Sequence, residues 1–259
     1  MSILKKITDY KRMEVAAMMN TLPLSLLKKS AYYDESCIPF SDVFSQGFGI
    51  IAEHKRKSPS KGLINNQIGV QEVVEGYETA DAKALSVLTD THFFGGALED
   101  LVLARQHCSL PILRKEFIVD PYQIHEAKAY GADAILLIAA CLSEEELISF
   151  SALAKSIGLD VLAEIHNEEE LEHCLLPSID MIGVNNRNLK TFQVSIETSI
   201  SLASKIPSSY VKISESGISD AKTIKTLREH GYQGFLIGEC FMKETHPGTA
   251  LQNLLNELS

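Results

Sequence analysis

The chain has 259 residues, 45% apolar and 22% charged, and 34 acids against 24 bases leave a net charge of −10. That length can bury one large core or two small ones. The acidic balance argues against a general nucleic-acid or anionic-membrane binder, since both tasks need a basic surface.

Cys37, Cys108, Cys141, Cys174 and Cys240 are scattered, with no paired metal-type spacing, which points to a reducing compartment rather than a disulfide framework. The longest apolar run, "AILLIAACL" at 134–142, is about half a membrane span. The N-terminus lacks an apolar signal core, and Asp9 and Glu14 count against a transit peptide. A cytoplasmic protein is expected.

Along the chain, Ile3, Ile7, Tyr10, Val15, Met18 and Met19 fit a helical stripe with some drift, and "LPLSLLKKSAYY" at 22–33 suits a second helix. After residue 45 a unit repeats. Short β-rich runs occur at 48–53, 84–90, 111–117, 132–140, 160–166, 180–186, 210–216 and 234–239, with segments of helical period between them.

Helix start signals follow the strands. Asp120 precedes Pro121, and Ser143 with Glu146 and Asn167 with Glu170 have capping-box spacing. Most strands are continuous apolar runs, as strands buried on both faces should be. Eight β-then-α units predict a closed (β/α)8 TIM barrel with an N-terminal helical extension. A doubly wound open sheet is the alternative, but no glycine-rich dinucleotide turn is present. Residues 1–259 are expected to form one domain, with residues 1–45 either plugging one end of the barrel or lying over its mouth as a lid.

In such a barrel the chemistry sits where the strands end at their C-termini. Those ends carry Glu53 and Lys55, Asp90, Lys115 and Phe117, Glu164, Asn185 and Arg187, Glu215 and Ser216, and Gly238 with Glu239. Residues two apart share a face of a strand. Glu53 with Lys55, Lys115 with Phe117, and Asn185 with Arg187 can therefore point together into the mouth. Seven polar strand ends out of eight are better explained by catalysis or tight ligand binding than by rim ion pairs.

Gly217 and Gly238, after the seventh and eighth strands, would let backbone N–H groups meet an anion at the start of the following helices, as at a phosphate site. His54 and His166 are assigned the parity opposite to their acidic neighbours and are expected to face the surrounding helices. No histidine or cysteine cluster has metal-ligand spacing, and there is no G-x-S-x-G elbow. Arg56 and Lys57 are expected to supply field rather than contact.

The stretches "IIAEHKRKSPSKG", "PILRKEFIVDPYQI" and "VLAEIHNEEEL" resemble the strand-1, strand-3 and strand-5 signatures of the indole-3-glycerol phosphate synthase family. "IGVNNRNLKTF", "ISESGI" and "FLIGE" are similar to its strands 6 to 8. The resemblance runs over nearly the whole chain, including the extension. In "FFGGALEDL", Ala97 stands where the family usually has serine.

The resemblance implies a carboxy-lyase of tryptophan biosynthesis that needs no cofactor. Such an enzyme closes the ring of 1-(2-carboxyphenylamino)-1-deoxyribulose 5-phosphate, giving indole glycerol phosphate, CO2 and water. It also implies roles. Lys115 is the acid and Glu164 the base. Lys55 pairs with the substrate carboxylate, Glu53 positions the lysines, and Asn185 binds sugar hydroxyls. Arg187 and Glu215 are supporting charges, and Phe94 and Phe117 pack on the anthranilate ring. Ser58 and Ser216 hold the phosphate with backbone at Gly217, Gly238 and Glu239, the Glu239 side chain pointing away.

The competing readings are another sugar-phosphate barrel, such as phosphoribosylanthranilate isomerase, and a non-catalytic barrel that binds a phosphorylated metabolite. The first would use a cysteine and an aspartate. The second has no need of Lys115 with Glu164. Partners are expected to be limited to the small phosphorylated substrate, with no nucleic acid, membrane or metal. A monomer with no fused isomerase domain is the default.

Overall fold

The computed structural model describes residues 3–45, 47–189 and 191–258. Eight parallel strands close into a barrel in sequence order: β1 (Gly49–His54), β2 (Ala84–Leu88), β3 (Ile112–Lys115), β4 (Ala134–Ile138), β5 (Asp160–Ile165), β6 (Met181–Asn185), β7 (Val211–Glu215) and β8 (Gly234–Ile237). β1 pairs with both β2 and β8, so the sheet has no free edge. All eight predicted runs are strands, most of them a residue or two shorter at the ends. A two-residue hairpin, Lys57–Ser58 against Gly62–Leu63, stands on the loop after β1.

Strand parity divides the core into two shells. Ile51, Leu113, Leu136, Leu162, Met181 and Ile213 point into the barrel, while Ile50, Ile112, Leu137, Val161, Ile182 and Phe235 pack under the helices. Two residues beyond Ile51, Leu113, Leu162 and Ile213 along the same face come Glu53, Lys115, Glu164 and Glu215. The inward rows thus run from apolar to charged toward the C-terminal ends.

The predicted helix starts hold in detail. Asp120 Oδ1 accepts from Tyr122 N at 2.8 Å ahead of helix Pro121–Ala129. Ser143 and Glu146 form the full reciprocal box on helix Glu144–Ser156. Asn167 accepts from Glu170 N at 2.9 Å, but Glu170 Oε2 takes the N–H of His166 rather than that of Asn167.

The extension occupies both ends of the barrel. Phe40 and Phe44, fully buried around the 3-10 turn Ser41–Phe44, join the interior cluster and close the N-terminal end. Ser41 N and Oγ tie that plug to Asp160 Oδ2 at 2.9 Å, at the start of β5. The long helix α1 (Ile3–Thr21) lies at the other end, where Ile3, Leu4 and Ile7 line the mouth.

The buried seam of α1 is Ile7, Lys11 and Val15. Met19, expected in the apolar stripe, is exposed. Lys11 is only 3% exposed, and its ammonium meets Glu14 at 2.6 Å, Asp90 at 2.9 Å and Glu116 at 3.2 Å. Burial pulls its pKa down, but the surrounding carboxylates outweigh that and hold it raised and charged.

The second helix expected at 22–33 is a single turn, Leu24–Leu27, followed by turns. Only Leu27 of that turn is buried, so no apolar face is available to stabilise further helix. The chain instead runs down the barrel side, where Tyr33 Oη meets His125 Nδ1 at 2.6 Å.

Two expectations follow. Ala97 has the extended backbone of an N-cap for helix Leu98–His107, and Asp100 accepts its N–H at 3.0 Å, but its side chain offers no acceptor in return. Ala97→Ser should complete the box and add about 1 kcal/mol of stability, read from the midpoint of urea unfolding. His54 is buried beneath the helices as expected, both ring nitrogens lack a hydrogen bond, and burial followed by the Arg56 charge lowers its pKa to about 4. The unfolded chain takes up that proton near pH 6.5 and the fold only near 4, so stability should fall by up to about 3 kcal/mol as pH drops through this window. His54→Phe should flatten that part of the stability–pH curve; identical curves for parent and variant would refute the assignment.

Candidate active site

At the C-terminal end of the barrel the inward rows converge on one cavity. Glu53, Lys55, Ser58, Phe94, Lys115 and Phe117 line its first half in chain order. Glu164, Asn185, Arg187, Glu215, Ser216 and Gly217 continue around it, and Gly238 with Glu239 completes the ring. All fourteen residues proposed from sequence therefore face the same space. Leu136 and Ile138 of β4, the one strand with no polar end, contribute apolar floor.

Lys115 is the hub. Its ammonium lies 2.9 Å from Glu164 Oε2 and 3.2 Å from Glu215 Oε2, and both carboxylates are almost fully buried. Lys55 is ion-paired with Glu53 on the neighbouring side of the ring. Burial lowers the Lys115 pKa, but Glu164, Glu215 and Glu53 outweigh it, so the ammonium stays charged.

The two carboxylates beside Lys115 are driven apart. Burial raises both, but Lys115, His166 and a hydrogen bond from Asn185 bring Glu164 below its ordinary value. Glu215 is less well compensated. Burial and the Glu164 and Glu53 charges push it up to about 7 against the pull of Lys115. Environments that separate the pKa values of neighbouring acids mark sites of proton chemistry.

The remaining contacts are more polar and open. Asn185 Oδ1 accepts from Arg187 N at 3.0 Å, and the Arg187 guanidinium faces Glu239 at 3.8 Å rather than Glu215. Glu239 is held by Lys243 at 2.6 Å. Ser58 and Ser60 hydroxyls lie 3.4 Å apart on the hairpin. Phe94 and Phe117 rings pack on each other, 5.8 Å apart and tilted by 37°, and together give the cavity an aromatic wall. Ser216 and Gly217 are both left-handed (φ 67° and 75°), a costly conformation for serine that turns the backbone sharply at the end of β7.

Several sequence expectations are corrected here. His166 does not turn away. It lies two residues beyond Glu164, shares its parity, and places Nε2 3.7 Å from Glu164 Oε1. Asp90 leaves the mouth: it caps Phe93 N at 2.6 Å and faces Lys11. Helix Ala221–Glu229 is not free to receive an anion at its start, because Asp220 caps it through Thr223 N at 2.8 Å. The glycine turn at Ser216–Gly217 precedes that cap. Arg56 and Lys57, in contrast, behave as expected: Arg56 binds Asp100 and Lys57 donates to His92 O at 2.7 Å, so neither reaches into the cavity.

Sequence reasoning missed the α1 residues and a packing role for glycine. A Cβ at Gly238 would collide with Glu53, and one at Gly183 with Glu215. Both glycines clear space for a carboxylate, and the inward parity of Gly183 on β6 was the available signal.

A family model described as indole-3-glycerol phosphate synthase matches residues 4–254. An indole-3-glycerol phosphate synthase of Bacteroides thetaiotaomicron is 51% identical over 214 residues, 83% of this chain and 82% of that one. One of Acinetobacter baumannii (strain ACICU) is 45% identical over 258 residues, 99% of this chain and 96% of that one. Among solved structures, a mutant tryptophan synthase α-subunit of Pyrococcus furiosus superposes with a TM-score of 0.62 at 16% identity, covering 82% of this chain and 98% of that one. A thiamine phosphate pyrophosphorylase of the same organism gives 0.58 at 14% identity, covering 83% and 97%. Those two share the barrel alone. The sequence relatives span nearly the full length and bear the same name as the matching family model: the chain belongs to the indole-3-glycerol phosphate synthase family.

Proposed function

We propose that the buried ring of Lys115, Glu164, Glu215, Glu53 and Lys55 performs the ring closure of this family. The enzyme is a carboxy-lyase of tryptophan biosynthesis and binds a phosphorylated sugar substrate. No helix among the described residues is long and apolar enough to cross a membrane.

The substrate's aromatic ring packs against the wall formed by Phe94 and Phe117, and its carboxylate pairs with Lys55. As the ring carbon attacks the ketone, negative charge grows on the ketone oxygen. Lys115 donates a proton there; an alkoxide is a stronger base than even a stabilised lysine, so a raised pKa does not bar the transfer. Attack leaves the carboxylate-bearing carbon tetrahedral beside a cationic nitrogen. That nitrogen accepts the electron pair as CO2 leaves, so the electron sink belongs to the substrate.

Glu164, kept ionised, then removes a proton from the carbon next to nitrogen while the new hydroxyl takes a second proton from the lysine pair and departs as water. Glu53 holds Lys55 in place, Asn185 meets the sugar hydroxyls, and Arg187 and Glu215 balance charge. Ser58, Ser216 and the backbone at Gly217, Gly238 and Glu239 receive the phosphate. The observation that carries this reading is Lys115 set between two carboxylates of opposed tendency.

Mixing the protein with the carboxyphenylamino sugar phosphate should give indole fluorescence; well-folded protein that forms none would sink the reading. Lys115→Met should lower turnover by at least about a hundredfold while a product analogue still binds by calorimetry. Glu164→Gln should cost a similar factor, and unchanged turnover would discredit the base. Because the Glu215 carboxyl titrates well above its unfolded value, the fold is penalised above pH 7 and relieved as pH falls toward 5. Glu215→Gln should therefore raise the melting temperature at pH 8 and slow turnover; a destabilised variant at pH 8 would contradict this balance.

A further inference from the structure

Behind the cavity, a chain of polar atoms leads outward from Glu164. His166 Nδ1 lies 3.1 Å from Glu170 Oε2, which also accepts the His166 N–H at 2.7 Å. On the other side of the imidazole, Nε2 is buried without a hydrogen-bond partner and points toward Glu164 Oε1 at 3.7 Å. The second oxygen of Glu164, Oε2, is the one that binds Lys115 at 2.9 Å. Side-chain exposure rises along the row, from 4% at Glu164 to 12% at His166 and 20% at Glu170. His166 does not line the cavity, so substrate does not displace it.

The reaction requires such a route, if the ring closure proposed above is accepted. A substrate carboxylate anion plus one proton gives indole glycerol phosphate, CO2 and water. The ketone oxygen takes one proton as the carbon–carbon bond forms, and the hydroxyl takes a second as its C–O bond breaks. Glu164 recovers only one, from the carbon that loses hydrogen. Each turnover therefore draws one proton from solvent, and the cavity through which Lys115, 13% exposed, meets water is the space that substrate fills.

We propose that His166, held by Glu170, delivers that proton from the barrel rim through Glu164 to Lys115. Protonated His166 gives its Nε2 proton to Glu164 Oε1, the carboxyl turns and passes it to neutral Lys115, and the imidazole, left with its proton on Nδ1, swings out past Glu170 to reload Nε2 from solvent. A small tilt of the ring closes the 3.7 Å gap. Glu170 Oε2 meets the ring at Nδ1 and accepts the His166 backbone N–H, so Nε2 is the nitrogen that faces Glu164 at rest.

The charges around the ring favour a resident proton. Burial alone lowers the His166 pKa, but Glu170 on its own helix side, Glu164 on β5 and Glu215 on β7 raise it above the ordinary value. Cys141, on the turn Ala139–Cys141 packed beside β5, is kept a neutral thiol by burial. Arg12 of α1 and Lys115 are the nearby cations.

The test measures indole formation by the full chain under saturating substrate, across pH and with added imidazole. His166→Gln, which keeps a hydrogen bond to Glu170 but carries no exchangeable charge, should lower kcat at least about tenfold with KM within about twofold. Imidazole should restore kcat in proportion to its concentration. Glu170→Gln should move the alkaline fall of kcat to lower pH, because the anion that holds the proton is gone. A His166→Gln enzyme with parental kcat and pH profile, or one whose loss lies in KM and resists imidazole, overturns the relay alone. An inactive parent overturns the ring-closure reading and the relay with it.

Discussion

Lys115 is held by charges that could not be buried without it. Glu164 and Glu215 each sit almost out of solvent, where an unpaired carboxylate costs several kcal/mol. One ammonium between them offsets that cost for Glu164 and only part of it for Glu215. The third acid, Glu53, has Lys55 as its own counter-ion. The barrel makes this possible because parallel strands at fixed register bring residues distant in sequence to one level, and an apolar floor below keeps the field strong.

The arrangement is also a standing strain on the fold. Gly183 and Gly238 give up side chains inside strands or at their ends so that two carboxylates fit, although glycine there weakens a sheet. Ser216 adopts a left-handed backbone. The compensation lies elsewhere: a fully buried aromatic plug, Phe40 and Phe44, and two continuous apolar shells. Stability concentrates at the N-terminal end and chemistry at the other, joined only by strands.

Strand parity made most of this legible in the sequence. Polar residues at the C-terminal ends of apolar runs, read with the rule that residues two apart share a face, identify Glu53, Lys115, Glu164, Asn185 and Glu215 without any structure. The same rule, misapplied, sent His166 to the wrong face, although it stands two residues from Glu164. What parity cannot see is contact between distant segments. Lys11 in a helical stripe reads as polar surface, yet three acids from α1, β2 and β3 termini make it core. Nothing local in Phe40 or Phe44 says that a barrel interior will surround them. Phosphate placement shows the same limit, since the carboxylate of Asp220 already occupies the helix start that Gly217 seemed to announce.

The anchoring of α1 has a practical side. Lys11 pins the helix at mid-length, while its first turn supplies Ile3, Leu4 and Ile7 to the cavity wall. The opposite terminus ends in helix Pro247–Leu258, whose Leu258 packs by Gly49 and Lys83 at the closed end of the barrel. A purification tag or fusion partner placed before Ile3 would hang within one helical turn of the cavity and compete with α1 for its mouth. The same appendage placed after Leu258 would leave by the face that does no chemistry, which makes the C-terminus the place to attach anything to this enzyme.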